Sequence, residues 1–245
     1  ANGGSLKNYK VIYSNLYSKD VANLKAFWAK RGFKPVFKSV TDDEAFLAQG
    51  DLVVSENSPT VKEILDFMML WSDNLLADRL AGLAARAAGY PLNIKGIDTI
   101  FRTLLAQFEI DDSKLVVADA SGLSKKNKIT AKLMGELLYK IRKDERYALL
   151  YESLPVGGVS GTLQNRFTTT APSAVGLVRA KTGTLNGTAT LAGYVQSKDR
   201  EYVFVTLADD IAKGNAALNK ARAAIDRVLG RIAAPNIPAE ISPAP

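Results

Sequence analysis

The sequence predicts an α+β fold in which an antiparallel sheet is flanked by helices, and two observations support this interpretation. Several segments carry apolar residues at helical spacing, which is typical of helices that bury one face. Near the end of the chain, three apolar segments are separated by very short turns, which predicts an antiparallel meander. Because helical segments precede and follow this meander, we expect a layered α+β domain.

The N-terminal part of the chain alternates between extended and helical patterns. Residues 9–16 are expected to form a strand, and residues 19–32 a helix. Residues 33–40 form a short extended segment, which Pro35 makes an edge strand. A further short strand is expected at 52–57.

Helices dominate the middle of the chain. One helix is expected to begin at Ser58-Pro59, with the serine as its cap and the proline at the first helical position. A second helix follows Asn74, a third covers about 96–108, and a fourth is capped by Thr130.

The C-terminal part contains the meander. A long irregular stretch at 157–176 precedes it, and stretches of this kind are usually functional or mobile. The three strands are expected at 176–184, 188–197 and 200–208, and a helix is expected at 215–232.

The composition excludes several kinds of chemistry. The 245 residues contain no Cys and no His, so disulfides, thiolate catalysis and a Ser-His-Asp triad are excluded. Acid–base chemistry near neutral pH would then depend on Lys, Tyr, Asp or Glu. The net charge of +7 is dispersed along the chain, and no nucleic-acid partner is expected. We also expect no transmembrane segment, no signal peptide in these residues, no cofactor and no metal.

Two short motifs carry the chemistry. Ser-Asp-Asn at 72–74 stands between two apolar helical runs, and by itself it is explained as a helix cap. Lys-Thr-Gly at 181–183 lies on the first meander strand, where a lysine can bind a carboxylate and Gly183 lets a substrate backbone approach. In this order, the two motifs are two of the three elements shared by penicillin-binding proteins and class A β-lactamases.

Four ordered blocks, which extend from about residue 58 to 208, resemble the class C low-molecular-mass penicillin-binding proteins. These proteins are D-alanyl-D-alanine carboxypeptidases/endopeptidases. The resemblance implies a penicillin-binding/serine β-lactamase-like transpeptidase domain with a cleft between the two motifs. The blocks are MMLWSDNLLADRL, VVADASGLSKKNKIT, LPVGGVSGTLQNR and RAKTGTLNGTATLAGYV.

The same resemblance implies roles for individual residues. Ser72 would relay a proton to the leaving group, and Asn74 would hold the penultimate carbonyl of the substrate. Lys181 and Thr182 would bind the terminal carboxylate. The backbone N–H of Thr184 would form half of an oxyanion hole.

Other residues in these blocks receive structural interpretations. Asp73 is expected to point inward and brace the turn. The loop that contains Asp119, Ser121, Ser124 and Asn127 is expected to lie near the cleft. The remaining expectations are turn positions for three glycines and a solvated rim for three lysines: Gly157, Gly158 and Gly161, and Lys125, Lys126 and Lys128.

The third family element, Ser-x-x-Lys, is missing, because no Ser stands three residues before any Lys. No residue is therefore nominated as the acylating serine. We expect the chain to be the C-terminal part of such a protein, with its transpeptidase-like domain incomplete at the N-terminal side. Residues 1–40 would end an inserted accessory domain, 41–232 would form the C-terminal part of the transpeptidase-like domain, and 233–245 would be a Pro-rich tail.

The implied function is a carboxypeptidase/endopeptidase that acts on peptidoglycan stem peptides by serine acyl transfer in the periplasm or cell wall. The chain alone is expected to be inactive, and β-lactam antibiotics would bind only with the missing nucleophile segment. Three alternatives stay open: a serine β-lactamase-like hydrolase, a non-catalytic fragment that binds the cell wall, and a nucleic-acid-binding module that uses the +7 charge.

Overall fold

The computed structural model describes three stretches of the chain: residues 10–13, 18–41 and 57–235. The strand expected at 52–57 therefore falls outside the described residues, except for its last position. Most of the expected Pro-rich tail also lies outside them, and position 233 is still helical.

The chain divides into two compact units, Ala1–Asn57 and Ser58–Pro245. This division lies later in the chain than the domain boundary that we expected after residue 40. The interpretation of the first unit as the end of an inserted domain stays a prediction.

In its described residues, the first unit has two short parallel strands and one helix. Strands β1 (Lys10–Tyr13) and β2 (Val36–Ser39) pair in parallel, and helix α1 (Ser18–Ala29) connects them. A parallel pair needs such a crossover connection, since a tight turn cannot join strands that run in the same direction. Pro35 stands immediately before β2, where its missing N–H removes no hydrogen bond from the pair.

The second unit contains the remaining helices and a three-stranded sheet. The helices are α2 (Val61–Trp71), α3 (Asn74–Ala87), α4 (Ile94–Gln107), α5 (Ala131–Arg142), α6 (Ala148–Glu152) and α7 (Asn215–Ala233). The strands are β3 (Val178–Leu185), β4 (Thr188–Ser197) and β5 (Arg200–Ala208). Within the described residues, none of the helices is both long and apolar enough to cross a membrane.

The start of α2 corrects the sequence prediction. The cap is Thr60 and not Ser58: the Thr60 side chain accepts the N–H of Glu63, and the Glu63 carboxylate accepts the N–H of Thr60 at 2.7 Å. This reciprocal pair is a capping box, which satisfies two N–H groups at once. The Ser58 hydroxyl donates to the Pro59 carbonyl oxygen instead, at 3.3 Å.

The predicted antiparallel meander is confirmed, with strand order β3-β4-β5. Leu191 and Val195 of β4 are fully buried and belong to a core cluster with Leu229 of α7. Tyr194 points to the other face, where its hydroxyl donates to the Leu138 carbonyl oxygen of α5 at 2.8 Å. Helices therefore cover both faces of the sheet, and the α+β class is confirmed.

Candidate active site

The break between α2 and α3 consists of two consecutive caps. Ser72 ends α2 in the left-handed conformation (φ 59°, ψ 49°), and its N–H donates to the Met68 carbonyl oxygen. Non-glycine residues adopt this conformation rarely, and such residues cluster at functional sites. Asp73 then begins α3, because its carboxylate accepts the N–H of Leu76 at 2.9 Å. The chain thus turns sharply at Ser72 and leaves its side chain between the two helices.

Lys181 of β3 contacts Ser72 directly. Its Nζ donates to Ser72 Oγ at 2.5 Å and to the Thr182 carbonyl oxygen at 3.0 Å. The lysine is half-buried, and this burial lowers the pKa of its ammonium group below the ordinary 10.5. The fold therefore joins two motifs that are 109 residues apart through a partly desolvated cation.

Among the residues that the structure describes, β3 is an edge strand, and its free edge carries backbone donors. The Ala180 N–H points away from β4 and donates to the Pro155 carbonyl oxygen at 2.9 Å. Alternate residues of an antiparallel strand direct their backbone groups to the same side. The N–H groups of Thr182 and Thr184 therefore point to the edge that β4 does not cover, where they can donate to a ligand.

The threonine hydroxyls at this edge have partners from two other segments. Thr182 Oγ1 donates to Thr162 Oγ1 at 2.9 Å, and Thr184 Oγ1 accepts from Arg222 Nη2 at 3.0 Å. Asn74 is exposed in the first turn of α3, and within the described residues its side-chain amide makes no hydrogen bond. The structure thus places Lys181 in contact with Ser72, whereas the Asn74 amide has no hydrogen-bond partner among the described residues.

Two glycines allow the close approaches that build this arrangement. A Cβ on Gly161 would lie 2.5 Å from the Leu70 carbonyl oxygen, so only glycine lets the turn that carries Thr162 pack against the end of α2. A Cβ on Gly183 would lie 2.3 Å from Thr190 Oγ1 of the neighbouring strand. A side chain at position 183 would therefore displace the Thr190 hydroxyl, so this neighbour also favours glycine there.

The other glycines in this region divide into two kinds. Gly158 has a positive φ of 70°, which matches the expected turn position. Gly157 does not belong to the positive-φ residues, and a Cβ there would lie 2.7 Å from the buried Phe167 ring. Gly157 does lie in a turn, which the Val159 N–H closes by donating to the Val156 carbonyl oxygen at 3.0 Å, but the reason for glycine there is core packing and not a positive φ.

The polar loop next to α3 is held by an aspartate that the sequence analysis missed. Asp78 Oδ1 accepts the N–H groups of Ala120 and Ser121, both at 2.9 Å. The loop also reaches the sheet, because Lys125 Nζ donates to the Asn186 carbonyl oxygen at 3.3 Å. Lys125 is thus exposed but has a defined partner, and the solvated-rim interpretation is incomplete for it.

Thr162 and Arg222 were also not singled out from the sequence. Thr162 lies in one of the quoted blocks, so its neighbourhood was a usable signal. Arg222 gave no signal, since an arginine on an amphipathic helix is ordinary. Within the part of the chain that the structure describes, no group of three or more Asp, Glu, His or Cys could hold a metal ion.

Comparison with models of known protein families identifies the family of this chain. Residues 13–232 match the model of the D-Ala-D-Ala carboxypeptidase 3 (S13) family. The chain belongs to this family. The resemblance to the class C low-molecular-mass penicillin-binding proteins is thereby confirmed.

Curated relatives agree with this assignment to the S13 family. Carboxypeptidase DacB of Mycolicibacterium smegmatis is 34% identical over 211 residues, which cover 84% of this chain and 45% of the relative. D-alanyl-D-alanine carboxypeptidase DacB of Haemophilus influenzae is 33% identical over 181 residues, which cover 71% of this chain and 37% of the relative. The chain thus spans less than half the length of these relatives.

Solved structures show the same S13-like architecture. Penicillin-binding protein 4 (DacB) of Haemophilus influenzae, in a complex with a β-lactam, matches with a TM-score of 0.72 and 28% identity. The match covers 86% of this chain and 49% of that protein. The predatory endopeptidase Bd0816 of Bdellovibrio bacteriovorus matches with a TM-score of 0.56 and 19% identity, over 90% of this chain and 56% of that one, and shows the fold alone.

Proposed function

We propose that this chain forms the carboxylate-binding and proton-relay side of a D-alanyl-D-alanine carboxypeptidase/endopeptidase. Its substrate would be the peptidoglycan stem peptide, and its place of action would be outside the cytoplasm, where peptidoglycan lies. The observation that carries the proposal is the 2.5 Å contact between Lys181 Nζ and Ser72 Oγ. Membership of the S13 family supports the reaction class.

The proposed reaction uses Ser72 as a proton relay. A serine nucleophile attacks the carbonyl carbon of the D-Ala–D-Ala bond, and the departing amine needs a proton as the C–N bond breaks. Ser72 can give its hydroxyl proton to that amine and recover one from the ammonium group of Lys181. Burial lowers the pKa of Lys181, so this transfer is easier than from an exposed lysine.

Recognition of the substrate is assigned to the edge of β3. The terminal carboxylate would accept a charge-assisted hydrogen bond from Lys181 and a further one from the Thr182 hydroxyl, whose single proton would turn from Thr162 Oγ1 to the carboxylate on binding. The outward N–H of Thr184 would stabilise the negative charge that develops on the attacked carbonyl oxygen. Asn74, exposed beside Ser72, would bind the penultimate carbonyl.

The acylating serine is not assigned within these residues. None of the 245 residues is a Ser followed three positions later by Lys, so the proposal places the nucleophile in sequence other than the chain described. Reaction with β-lactam antibiotics would need that nucleophile too. The complex of the Haemophilus relative with a β-lactam supports this class of partner.

The test is the binding of N-acetyl-D-Ala-D-Ala to the chain, measured by NMR titration as the free acid and as the methyl ester. We expect Lys181→Met to weaken binding of the free acid roughly ten- to a hundred-fold, since a hydrogen bond to a charged group is worth about 1.5–3 kcal/mol. Binding of the uncharged ester should change little. Lys95→Met, which removes an exposed lysine of α4, is the matched control and should leave both affinities unchanged.

Three outcomes would contradict the proposal. The unmodified chain could fail to bind the free acid at millimolar concentrations. Lys181→Met could weaken acid and ester equally, which would indicate a loss of structure. Lys95→Met could weaken the acid as much as Lys181→Met, which would indicate a general effect of charge.

A further inference from the structure

A guanidinium group from α7 reaches the strand that carries the Lys-Thr-Gly motif. Arg222 Nη2 donates to Thr184 Oγ1 at 3.0 Å, and its Nη1 donates to Asn219 Oδ1 at 3.4 Å. Arg222 is half-buried, whereas Thr184 is exposed at the free edge of β3. The arginine therefore approaches the edge from behind the threonine, and the threonine faces solvent.

The positive charge of Arg222 is not balanced by a carboxylate. The nearby Asp226 is 2% exposed, and its carboxylate pairs with Arg166, whose Nε lies 3.0 Å from both carboxylate oxygens. Thr170 Oγ1 donates to the same carboxylate at 3.1 Å. Across the described ranges, no carboxylate lies within 4.0 Å of Arg222.

The surroundings of Arg222 make its unpaired positive charge unfavourable in the unliganded protein. Burial lowers the pKa of the Arg222 guanidinium, and the charge of Arg166 lowers it further, although Asp226 opposes both. A guanidinium group nevertheless keeps its proton at neutral pH. A half-buried, unpaired cation next to an open edge is a place where an anionic ligand is stabilised.

The hydrogen bond from Arg222 also decides what the Thr184 hydroxyl can do. A hydroxyl has one proton to donate and two lone pairs that accept. Because Thr184 Oγ1 accepts from a charged donor, its own proton is free to point to the open edge and is polarised by the cation. The hydroxyl thus becomes a stronger donor towards an anion.

We propose that Arg222 is a positioning residue for recognition of the substrate carboxylate, acting through the Thr184 hydroxyl. This inference rests on the proposed function, in which a terminal carboxylate binds at the edge of β3. Arg222 supplies the second positive charge of the site after Lys181. It therefore favours peptides that end in a free carboxylate over esters and amides of the same peptide.

The experiment uses the same NMR titration with N-acetyl-D-Ala-D-Ala and its methyl ester. We expect Arg222→Met to weaken binding of the free acid about ten-fold and to leave the ester unchanged. Arg222→Lys, which keeps the charge and a donor, should recover most of the affinity. Arg227→Met removes an exposed arginine from the same helix and serves as the matched control.

A double-variant comparison tests whether Arg222 acts through Thr184. Thr184→Val removes the hydroxyl and keeps the branched shape and the backbone N–H, so it should weaken binding of the acid and not that of the ester. If the two residues act as a unit, the double variant should bind the acid with about the same affinity as whichever of Arg222→Met and Thr184→Val binds it less tightly. Additive losses would overturn the relay through Thr184.

The outcomes separate this inference from the function on which it rests. If Lys181→Met weakens acid binding selectively but Arg222→Met does not, the inference is overturned and the proposed function stands. If Arg222→Met weakens acid and ester equally, the arginine is structural and the inference is also overturned. If the unmodified chain does not bind the acid, both are overturned. Arg222→Gln repeats the measurement should Arg222→Met lower the denaturant midpoint.

Discussion

The side chains of Lys181 and Ser72 meet at 2.5 Å, and the serine holds a left-handed backbone conformation at that point. The contact joins the end of one helix to the edge strand of the sheet. Because Lys181 is half-buried there, its ammonium group is partly desolvated and donates to the serine hydroxyl and to a backbone carbonyl oxygen.

Ser72→Ala should impair chemistry far more than folding. The Ser72 side chain does not cap α3, so its loss should lower the free energy of unfolding by less than about 1 kcal/mol. A lost proton relay should reduce turnover about a hundred-fold or more. The measurements are the denaturant midpoint of this chain and peptidase turnover in any longer form that carries a Ser-x-x-Lys segment. Unchanged turnover per folded molecule would remove Ser72 from the mechanism.

Asp73→Ala, in contrast, should lower the free energy of unfolding measurably. The Asp73 carboxylate accepts the N–H of Leu76 at 2.9 Å, and losing such a cap typically costs about 1 kcal/mol. We therefore expect a lower urea midpoint than for Ser72→Ala, measured by circular dichroism on the same chain. Asp73→Asn keeps an acceptor and is the control, which should recover most of the stability. A midpoint for Asp73→Ala equal to that of the unmodified chain would contradict the assigned cap.

The stability difference between the unmodified chain and Lys181→Met should depend on pH. Burial lowers the folded-state pKa of Lys181 below 10.5. At pH values below that lowered pKa, the lysine is charged in both states and its burial cost is fully present. Between the lowered pKa and 10.5 the unfolded state binds more protons, so stability rises with pH.

Urea unfolding at several values from about pH 7 to pH 10 checks this sign, since the slope of stability against pH reports the difference in bound protons. The unmodified chain should gain stability relative to Lys181→Met as the pH rises. Lys95→Met provides the control for general effects of charge. A difference that stays constant or falls with pH would show that Lys181 is not desolvated in the folded chain.

The chain should form no covalent adduct with a fluorescent penicillin. The reason is the absence of any Ser-x-x-Lys sequence in the 245 residues, which removes the activated nucleophile of this family. Intact-protein mass spectrometry after incubation gives the answer. An adduct on any residue, Ser72 included, would show that another group acts as nucleophile and would require a different mechanism.

The sequence alone determined the regular parts of the sheet. Strands β4 and β5 occupy the ranges predicted for them, because alternating apolar residues and short turns report pairing between neighbours in the chain. The start of α2 was predicted less well. The pattern of apolar residues locates a helix, but its first residue depends on which cap forms, and here the pair of Thr60 and Glu63 replaced Ser58.

The sequence also determined that the two motifs occur together and in order, which was enough to indicate the family. Their contact was decided by tertiary structure alone. The close packing of Gly161 on α2 and the approach of Arg222 to Thr184 both depend on residues far apart in the chain. The pattern of apolar residues in a segment indicates which secondary structure that segment prefers. The distances between side chains from different segments follow from how whole helices pack on the sheet.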